Sequence, residues 1–448
     1  MSRRVHSIAD ESLGNTAYLI DVGDGAAVVV DPRRDAGYHV AVAQKLRLRI
    51  VGVLETHLHA DFVSGSREVA NSTDAGIVAS GRAGLSFAHR AVEDGSQLSF
   101  GDAVVEVLGS PGHTPEHISF LITVGNERML FSGGSLIVGG AARTDLSGDD
   151  KTDGLARAQF ATLRRLTVLP DDTALFPTHG AGSFCSTGPT QSASSTIGTE
   201  RASNPLFTIT DEDEFVRQLT SGFGSYPRYF AHLRDVNRAG APLLETLPPV
   251  PQISAAAARD TVDSGAWLID GRSAEDWARS HAQGSISVAV RPAFASWLGW
   301  VVPFGAPVVL ILEPDLVEEA LRQAHLIGYD RIEGWTTIGD WLATGLLVSS
   351  TKRLSAEQAA KHVNGGALLL DIRRQPEFDA KHIEGAAHLE LGEIIAGKTP
   401  DASEVITYCG HGERAATAAS LLARRARRVA TLPGGTSEWR RAGFPVQS

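Results

Sequence analysis

Three stretches of this sequence place histidine directly after an apolar run, as at a buried strand that ends in a polar turn. They are Thr56-His57-Leu58-His59-Ala60-Asp61, Pro111-Gly112-His113-Thr114 and Pro177-Thr178-His179-Gly180. Histidines at alternate positions of an extended segment point to the same side, so His57 and His59 can face one cavity. Imidazole nitrogens in that arrangement are typical of a metal site.

A second group of reactive residues follows a predicted strand near the end of the sequence. Residues 405–408 indicate a strand that ends at the loop 409–414, and an alanine-rich helix is predicted over 415–425. The backbone amides of such a loop can surround an anion, and the helix N-terminus adds positive potential. Together with Arg414, they favour the thiolate form of Cys409, which makes Cys409 a candidate nucleophile.

Length and composition limit the classes of protein to consider. A chain of 448 residues is too long for one ordinary core and suggests about three domains. The formal charge of -11 and the lack of a long Lys/Arg block make nucleic acid an unexpected partner. The two cysteines cannot form a disulfide framework, and no apolar run approaches the roughly 18 residues of a membrane span. We therefore expect a soluble cytoplasmic protein without a membrane partner.

The first half of the chain resembles a metallo-β-lactamase-fold hydrolase. Its short apolar runs at 17–20 and 26–30 predict a hairpin, and the run at 50–54 predicts the strand before the first histidines. The form Thr-His-x-His-Ala-Asp-Phe-Val-Ser-Gly over residues 56–65 resembles the persulfide dioxygenase branch that is fused to rhodanese domains. The resemblance implies an αββα metallo-β-lactamase sandwich over residues 1–246.

The resemblance also implies one Fe(II), which the family holds with two histidines and an aspartate, leaving open positions for O2 and substrate. The two histidines correspond to His57 and His113, whereas the aspartate position holds Gly134. Three outcomes follow: water fills the vacancy, His59 joins as a third imidazole, or the site holds no metal. Open space beside Gly134 favours water, with Fe(II) bound more weakly than in the family.

Other positions narrow the chemistry of this site. Phe62 stands where dinuclear family members have a second-metal histidine, so a dinuclear zinc hydrolase of the glyoxalase II kind is not expected. A mononuclear zinc thioester hydrolase that uses His57, His59 and His113 remains an alternative. Asp145 is assigned a structural role. Cys185 is expected to be a buried, inert thiol, because no base or cation lies beside it in the sequence.

Two copies of a rhodanese-like pattern follow the stiff linker Leu247-Pro248-Pro249-Val250-Pro251. Ile269-Asp270-Gly271-Arg272, with a later His-x-x-Gly-Ser turn, recurs as Leu370-Asp371-Ile372-Arg373 with a His-x-x-Gly-Ala turn. Each copy alternates apolar strands with helices. We expect two doubly wound parallel α/β domains, over residues 252–346 and 354–448.

The two copies differ where chemistry is expected. In the first, the predicted strand reaches Glu313-Pro314-Asp315 and has neither a cysteine nor an arginine there, so this copy is predicted to be a packing or docking module. The second resembles an active rhodanese, and its Cys-x4-Arg spacing differs from the Cys-x5-Arg loop of phosphatases. The resemblance implies Cys409 and Arg414 as catalytic residues, with Gly410, His411, Gly412 and Glu413 binding substrate.

The expected function is the handling of low-molecular-weight persulfides, as in sulfide detoxification. The first domain would oxidise the persulfide of glutathione or another small thiol to sulfite with Fe(II) and O2. Cys409 would carry sulfane sulfur between thiols, sulfite and thiosulfate. One alternative is a sulfurtransferase whose first domain is catalytically silent, and the other is the zinc thioester hydrolase. A homo-oligomer is compatible with each of these functions.

Overall fold

The structure is a computed structural model that describes residues 3–180, 182–186 and 193–447. These residues form two compact units. The first unit ends at Leu247 and also includes His325–Gly328, and the second begins at Pro248. Among the helices of the described residues, none combines the length and the apolar character needed to cross a membrane.

Two six-stranded sheets lie at the centre of the first unit. Its strands are β1 (Val5–Asp10), β2 (Asn15–Gly23), β3 (Ala26–Val30), β4 (Arg49–Leu54), β5 (Gly76–Ser80), β6 (Arg90–Val92), β7 (Gln97–Phe100), β8 (Ala103–Gly109), β9 (Ile118–Val124), β10 (Glu127–Gly133), β11 (Ala174–Pro177) and β12 (Ser195–Thr196). Its helices are α1 (Gly37–Lys45), α2 (Ser66–Thr73), α3 (Thr152–Leu166), α4 (Ile197–Ser203), α5 (Pro205–Thr208), α6 (Glu212–Ser221) and α7 (Phe230–Ala239). The first sheet runs from β1 to β6, and the second has the order β12-β11-β10-β9-β8-β7.

The alternation of side chains along the strands separates the cores of this unit. In β2, Tyr18 and Ile20 belong to the core between the two sheets, which also contains Phe120 and Phe131 of the second sheet. Leu19 lies between them in the sequence and packs on the opposite face, in a core that includes α1 and α2. The outer face of the second sheet packs against α3 and α6. The layers are therefore αββα, and the predicted sandwich is confirmed.

The direction of the strands brings the segments that contain the candidate site residues to one edge of each sheet. β3 and β4 pair in parallel, so the residues that follow them, Asp31 and His57, leave the same edge. β10 and β11 also pair in parallel, which places Gly134 and His179 together at the corresponding edge of the second sheet.

The second unit contains a four-stranded and a five-stranded parallel sheet, together with two sheets of two strands each. Its strands are β13 (Trp267–Asp270), β14 (His281–Ala282), β15 (Ile286–Ser287), β16 (Val308–Ile311), β17 (Ile332–Thr336), β18 (Val348–Ser349), β19 (Lys352–Arg353), β20 (Leu368–Asp371), β21 (His382–Ile383), β22 (Ala387–His388), β23 (Glu404–Tyr408), β24 (Arg428–Leu432) and β25 (Val446–Gln447). Its helices are α8 (Ala255–Asp263), α9 (Ala274–Arg279), α10 (Phe294–Val301), α11 (Val317–Leu326), α12 (Ile338–Ala343), α13 (Ala356–Asn364), α14 (Gln375–Ala380), α15 (Leu391–Ile395), α16 (Glu413–Ala423) and α17 (Gly435–Arg441). The sheet orders are β15-β13-β16-β17 and β19-β24-β23-β20-β22.

Helices cover both faces of the C-terminal sheet. Leu369 and Ile406 pack on one face with α13 and α17. On the other face, the Thr407 hydroxyl donates to the carbonyl of Ala415 in α16, at 2.9 Å. This arrangement is the doubly wound parallel α/β fold that was predicted. The first unit ends within the predicted linker, whereas the division of the second unit into domains over 252–346 and 354–448 stays a prediction.

The helix that follows Cys409 packs on the middle sheet. Ala416 and Ala419 of α16 share a small core with Trp277. The Thr417 hydroxyl donates to the carbonyl of Ser287 in β15, at 2.7 Å. The middle copy, which lacks the cysteine, therefore supports the helix that carries the loop of the other copy.

We expect Thr417→Val to destabilise the second unit by about 1–2 kcal/mol, because the buried Ser287 carbonyl loses its hydroxyl donor. All seven tryptophans follow Leu247 in the sequence, so their fluorescence during urea unfolding reports on this unit. The matched control is Thr261→Val, whose hydroxyl donates to the carbonyl of Ala257 in its own helix and to no other group of the residues that the structure describes. A midpoint for Thr417→Val equal to that of the control would contradict the prediction.

Candidate functional sites

Three histidines from three strand ends form a buried cluster in the first unit. His57 follows β4, His113 follows β8 and His179 follows β11. Their exposed fractions are 4% or less. The ring centroids of His57 and His113 lie 4.9 Å apart, and those of His113 and His179 lie 5.1 Å apart. We call these three residues the histidine cluster.

Asp31 fixes the orientation of His57 through Thr56. The Thr56 amide and hydroxyl both donate to the Asp31 carboxylate, at 2.8 and 2.7 Å. Burial alone would raise the pKa of Asp31, but His59 and the hydrogen bonds outweigh burial and hold this pKa below its usual range. The Thr56 oxygen therefore accepts the proton of His57 Nδ1, 2.8 Å away, and the lone pair of His57 Nε2 faces the cluster.

The other two imidazoles are oriented in the same way. His113 Nδ1 lies 2.6 Å from the carbonyl oxygen of Arg143, which can only accept. His179 Nδ1 lies 3.0 Å from Asn15 Oδ1 and 3.3 Å from Asp61 Oδ2. Each Nδ1 is thus the donor, and each Nε2 remains for a ligand.

The cluster fits a bound metal ion. His57 Nε2 and His179 Nε2 are 3.2 Å apart, so a positive charge, a proton or a metal ion, must lie between their lone pairs. Burial, followed by the neighbouring imidazoles, lowers the pKa of His57 well below its usual range. Burial likewise lowers the pKa of His113. Neutral imidazoles are the form that binds metals, so a metal cofactor suits this cluster.

His59 makes a different set of contacts. Its Nε2 lies 3.2 Å from Glu55 Oε2 and 3.5 Å from Asp31 Oδ1. Burial would lower the pKa of His59, but these two carboxylates raise it to about 10. His59 still offers a ring nitrogen within 4.8 Å of those of His57 and His179. Metal binding there would have to displace a proton, and the role of His59 as a ligand stays a prediction.

The space beside Gly134 is filled, which corrects the expectation of an open position for water. A Cβ atom built on Gly134 would lie 2.8 Å from Cγ and 3.0 Å from Nε2 of the His113 ring. The Gly134 amide donates to His117 Nε2 at 3.0 Å, which holds the backbone in place. The described residues therefore do not provide the carboxylate of the two-histidine, one-aspartate iron site at this position.

Phe62 and Asp61 are buried beside the histidines of this site. The Phe62 ring stacks on the His59 ring, with centroids 4.1 Å apart. Phe62 stands at the position where the resemblance implies a second-metal histidine in dinuclear proteins. Neither oxygen of the buried Asp61 carboxylate has a hydrogen-bond partner among the described residues. Burial would raise the pKa of Asp61, but the interactions with the neighbouring His179, His59 and Asn15 outweigh burial and lower this pKa to about 2. Asp61 is therefore an anion beside the histidine cluster.

Cys185 lies inside this site. It is fully buried, and its sulfur offers a ligand atom within 4.8 Å of those of His113 and His179. Burial, with the charge of Asp61, raises the pKa of Cys185 well above its usual range, so the metal-free residue is a neutral thiol.

Asp145 accepts hydrogen bonds from the guanidinium of Arg143 at 2.6 and 2.7 Å, a contact of the kind that a structural role requires.

The loop 409–414 surrounds a buried thiol in the second unit. Cys409 directly follows β23 and is 2% exposed. The Gly412 amide donates to Cys409 Sγ at 3.1 Å. Gly412 has a φ of +97°, which favours glycine at the turn into α16. The amides of this turn and the helix N-terminus can therefore stabilise negative charge on sulfur.

Arg414 is held at the loop by a residue from a different helix. Its two Nη atoms each lie 2.8 Å from an oxygen of Glu377 in α14. The Arg414 guanidinium lowers the pKa of Glu377. A bidentate pair fixes the plane of the guanidinium and thus its direction toward an anion. At the equivalent strand end of the middle sheet, after β16, the chain continues through Glu313 without a cysteine.

Sequence reasoning missed three contributors to these sites. The Pro177-Thr178-His179 pattern resembled the other histidine stretches, but His179 was not assigned as a ligand. Cys185 was expected to be a buried, inert thiol, so its position beside the ring nitrogens of His113 and His179 was not predicted. Glu377 gave none either, since it lies 37 positions before Arg414 in the sequence.

Comparisons with known proteins match both units. The metallo-β-lactamase superfamily model matches residues 12–179, and the rhodanese-like domain model matches residues 355–442. The mitochondrial persulfide dioxygenase ETHE1 of Homo sapiens is 30% identical over 204 residues, which are 45% of this chain and 74% of that protein. A hydroxyacylglutathione hydrolase of Actinobacillus pleuropneumoniae serotype 5b is 34% identical over 156 residues, 35% of this chain and 62% of the relative.

A solved structure extends the likeness. The crystal structure of a metallo-β-lactamase from Staphylococcus aureus subsp. aureus COL is 31% identical and superposes with a TM-score of 0.67. It covers 74% of this chain and 98% of its own. The fold of this chain thus resembles that of a protein of known structure over most of its length.

We expect Gly134→Ala to displace the His113 ring, because the added Cβ atom needs the space that this ring occupies. The variant should therefore unfold at a lower temperature and retain less metal per chain, with the metal content measured by mass spectrometry. The control is Gly154→Ala in α3, where an added Cβ meets no atom within 4 Å. This control should retain the parental metal content. Unchanged metal content in Gly134→Ala would show that the observed position of His113 is not required for binding.

Proposed function

Since the chain belongs to the metallo-β-lactamase superfamily, as an ETHE1-type persulfide dioxygenase domain fused to a rhodanese-like domain, we propose that it transfers sulfane sulfur through Cys409. Persulfide metabolism is the setting that its family supports. The observation that carries the proposal is the position of the Cys409 thiol at the N-terminus of α16. The Gly412 amide donates a hydrogen bond to its sulfur, and Arg414 follows in the first turn of the helix.

In the first half of the reaction, the Cys409 thiolate attacks the outer sulfur of a persulfide or of thiosulfate. A bond forms between Cys409 Sγ and that sulfur, and the sulfur–sulfur bond of the donor breaks. The electron pair leaves with the donor as a thiolate or as sulfite. Arg414 binds the anionic donor, and the Gly412 amide stabilises the charge on sulfur.

In the second half, an acceptor takes the sulfur from the Cys409 persulfide. A small thiolate, such as that of glutathione, or sulfite attacks the outer sulfur. The sulfur–sulfur bond of the enzyme persulfide breaks, and its electron pair returns to Cys409 Sγ. Because the same loop holds the thiolate before and after transfer, no external oxidant or reductant is needed.

The first unit has a second role in this proposal, the oxidation of thiol persulfide to sulfite. In the net reaction, a persulfide, O2 and water give a thiol, sulfite and two protons. A bound Fe(II), held by His57, His113 and His179, would supply the O2 chemistry. The chain itself orients the three imidazoles through Thr56, Arg143 and Asn15, and it excludes bulk water by burying them.

A zinc thioester hydrolase is the second candidate for the first unit. The identity to a hydroxyacylglutathione hydrolase supports it. Phe62 argues against a dinuclear form, because an aromatic ring replaces the ligand of a second metal. The two candidates differ in their need for O2, which makes them separable by assay.

We expect Cys409→Ser to abolish sulfur transfer from thiosulfate to cyanide or glutathione, since no other group of the loop can form the persulfide. Metal content and persulfide-dependent O2 uptake should remain at parental levels. Cys185→Ser is the matched control for transfer, because that thiol lies in the other unit. Transfer that persists in Cys409→Ser would overturn the assignment.

We expect Arg414→Lys to lower kcat/KM for thiosulfate by about tenfold or more, because lysine cannot reproduce the bidentate pair with Glu377. Arg440→Lys, at an exposed position of α17, should leave the rate unchanged. Steady-state rates over a range of thiosulfate concentrations distinguish the two variants. Equal rates would show that the fixed guanidinium plane is not used.

For the metal centre, we expect anaerobically purified protein reconstituted with Fe(II) to consume O2 with glutathione persulfide. His113→Ala should lower this rate about tenfold or more, because it removes a ligand. Sulfur transfer by Cys409 serves as the internal control for folding of the same sample. Thioester cleavage without O2 uptake would support the hydrolase instead.

A further inference from the structure

We propose that Cys185 binds the metal as a thiolate and replaces the carboxylate that the resembling dioxygenases have at the position of Gly134. This inference rests on the proposed metal centre, but not on the reaction that the centre performs. The donor set that the geometry supports is one sulfur, from Cys185, and the ring nitrogens of His113 and His179.

The first support is the position of the sulfur. The sulfur of Cys185, a ring nitrogen of His113 and a ring nitrogen of His179 all lie within 4.8 Å of one another. All three residues are 1% exposed or less. A buried cysteine that only filled space would be expected among aliphatic side chains, whereas this one faces imidazole nitrogens.

The second support is the way the backbone of Arg143 ties two of these donors together. The Arg143 carbonyl accepts the proton of His113 Nδ1 at 2.6 Å. The Arg143 amide donates to the carbonyl of Cys185 at 2.9 Å, and Ala142 pairs antiparallel with Ser186. One short segment therefore sets the distance between the His113 ring and Cys185.

The third support is the lack of a carboxylate at Gly134. The His113 ring fills the space that a side chain at Gly134 would need. The Asp61 carboxylate lies 3.3 Å from His179 Nδ1 and also contacts the Cys185 thiol. Cys185 is thus a group that adjoins ring nitrogens of His113 and His179 and that can lose a proton to a bound metal.

The chemistry selects a class of metal. Imidazole and thiolate together suit borderline divalent ions such as Zn(II), Co(II) and Fe(II), and they disfavour Mg(II) and Ca(II). On binding, the S–H bond of Cys185 breaks, its proton passes to solvent, and the sulfur lone pair bonds the metal. No electron is transferred in this step.

The test uses Co(II) and the full chain carrying Cys409→Ser, in which Cys185 is the remaining cysteine. We expect one Co(II) per chain with a near-ultraviolet thiolate-to-cobalt charge-transfer band. Adding Cys185→Ser should abolish the band and weaken Co(II) binding about tenfold or more, since even indirect supports of a metal site are worth that much. Competition with Zn(II) and Fe(II) then ranks the metals.

The outcomes separate the two proposals. Stoichiometric Co(II) without the charge-transfer band would overturn the role of Cys185 and leave the histidine cluster as the metal centre. No Co(II), Zn(II) or Fe(II) binding would overturn the metal centre and the role of Cys185 together. If Cys185→Ser does not fold, as judged by circular dichroism, the spectrum of the Cys409→Ser protein alone decides.

Discussion

The buried carboxylate of Asp31 joins strand ends from both sheets of the first unit. It accepts hydrogen bonds from Thr56, which follows β4, and from the hydroxyl of Thr178, which follows β11. A buried carboxylate without such donors would cost several kcal/mol, so its burial and these bonds depend on each other. His57 and His179 are the next residues in the two segments. The Nε2 atoms of His57 and His179 face each other at a fixed separation, because Asp31 holds the two segments that precede them.

The two candidate sites handle negative charge by different means. In the first unit, the imidazoles of His57, His113 and His179 converge in a buried pocket, where a metal cation can bind their lone pairs. At Cys409, a backbone amide, a helix N-terminus and the cation of Arg414 meet a single sulfur. Each of the two sites contains a buried cysteine, Cys185 in the first unit and Cys409 in the second.

The second unit uses one architecture twice for different purposes. The middle sheet reaches its strand end at Glu313, where a carboxylate would repel an anionic sulfur donor. Its Ser287 instead accepts the hydroxyl proton of Thr417, and Trp277 packs on the alanines of α16. Small alanine side chains allow this close approach. The copy without a cysteine thus contributes packing to α16, the helix that follows the loop 409–414.

Much of this was determined by the sequence, because strand alternation, turn residues and helix starts are local properties. The helix predicted over 415–425 is Glu413–Ala423, and the histidine stretches do follow strands. Three features were decided only in the tertiary structure: the His113 ring in the space beside Gly134, the placement of Cys185 by Arg143, and the Glu377 pair of Arg414. Each depends on the packing of segments far apart in the chain, whose distances no local pattern encodes.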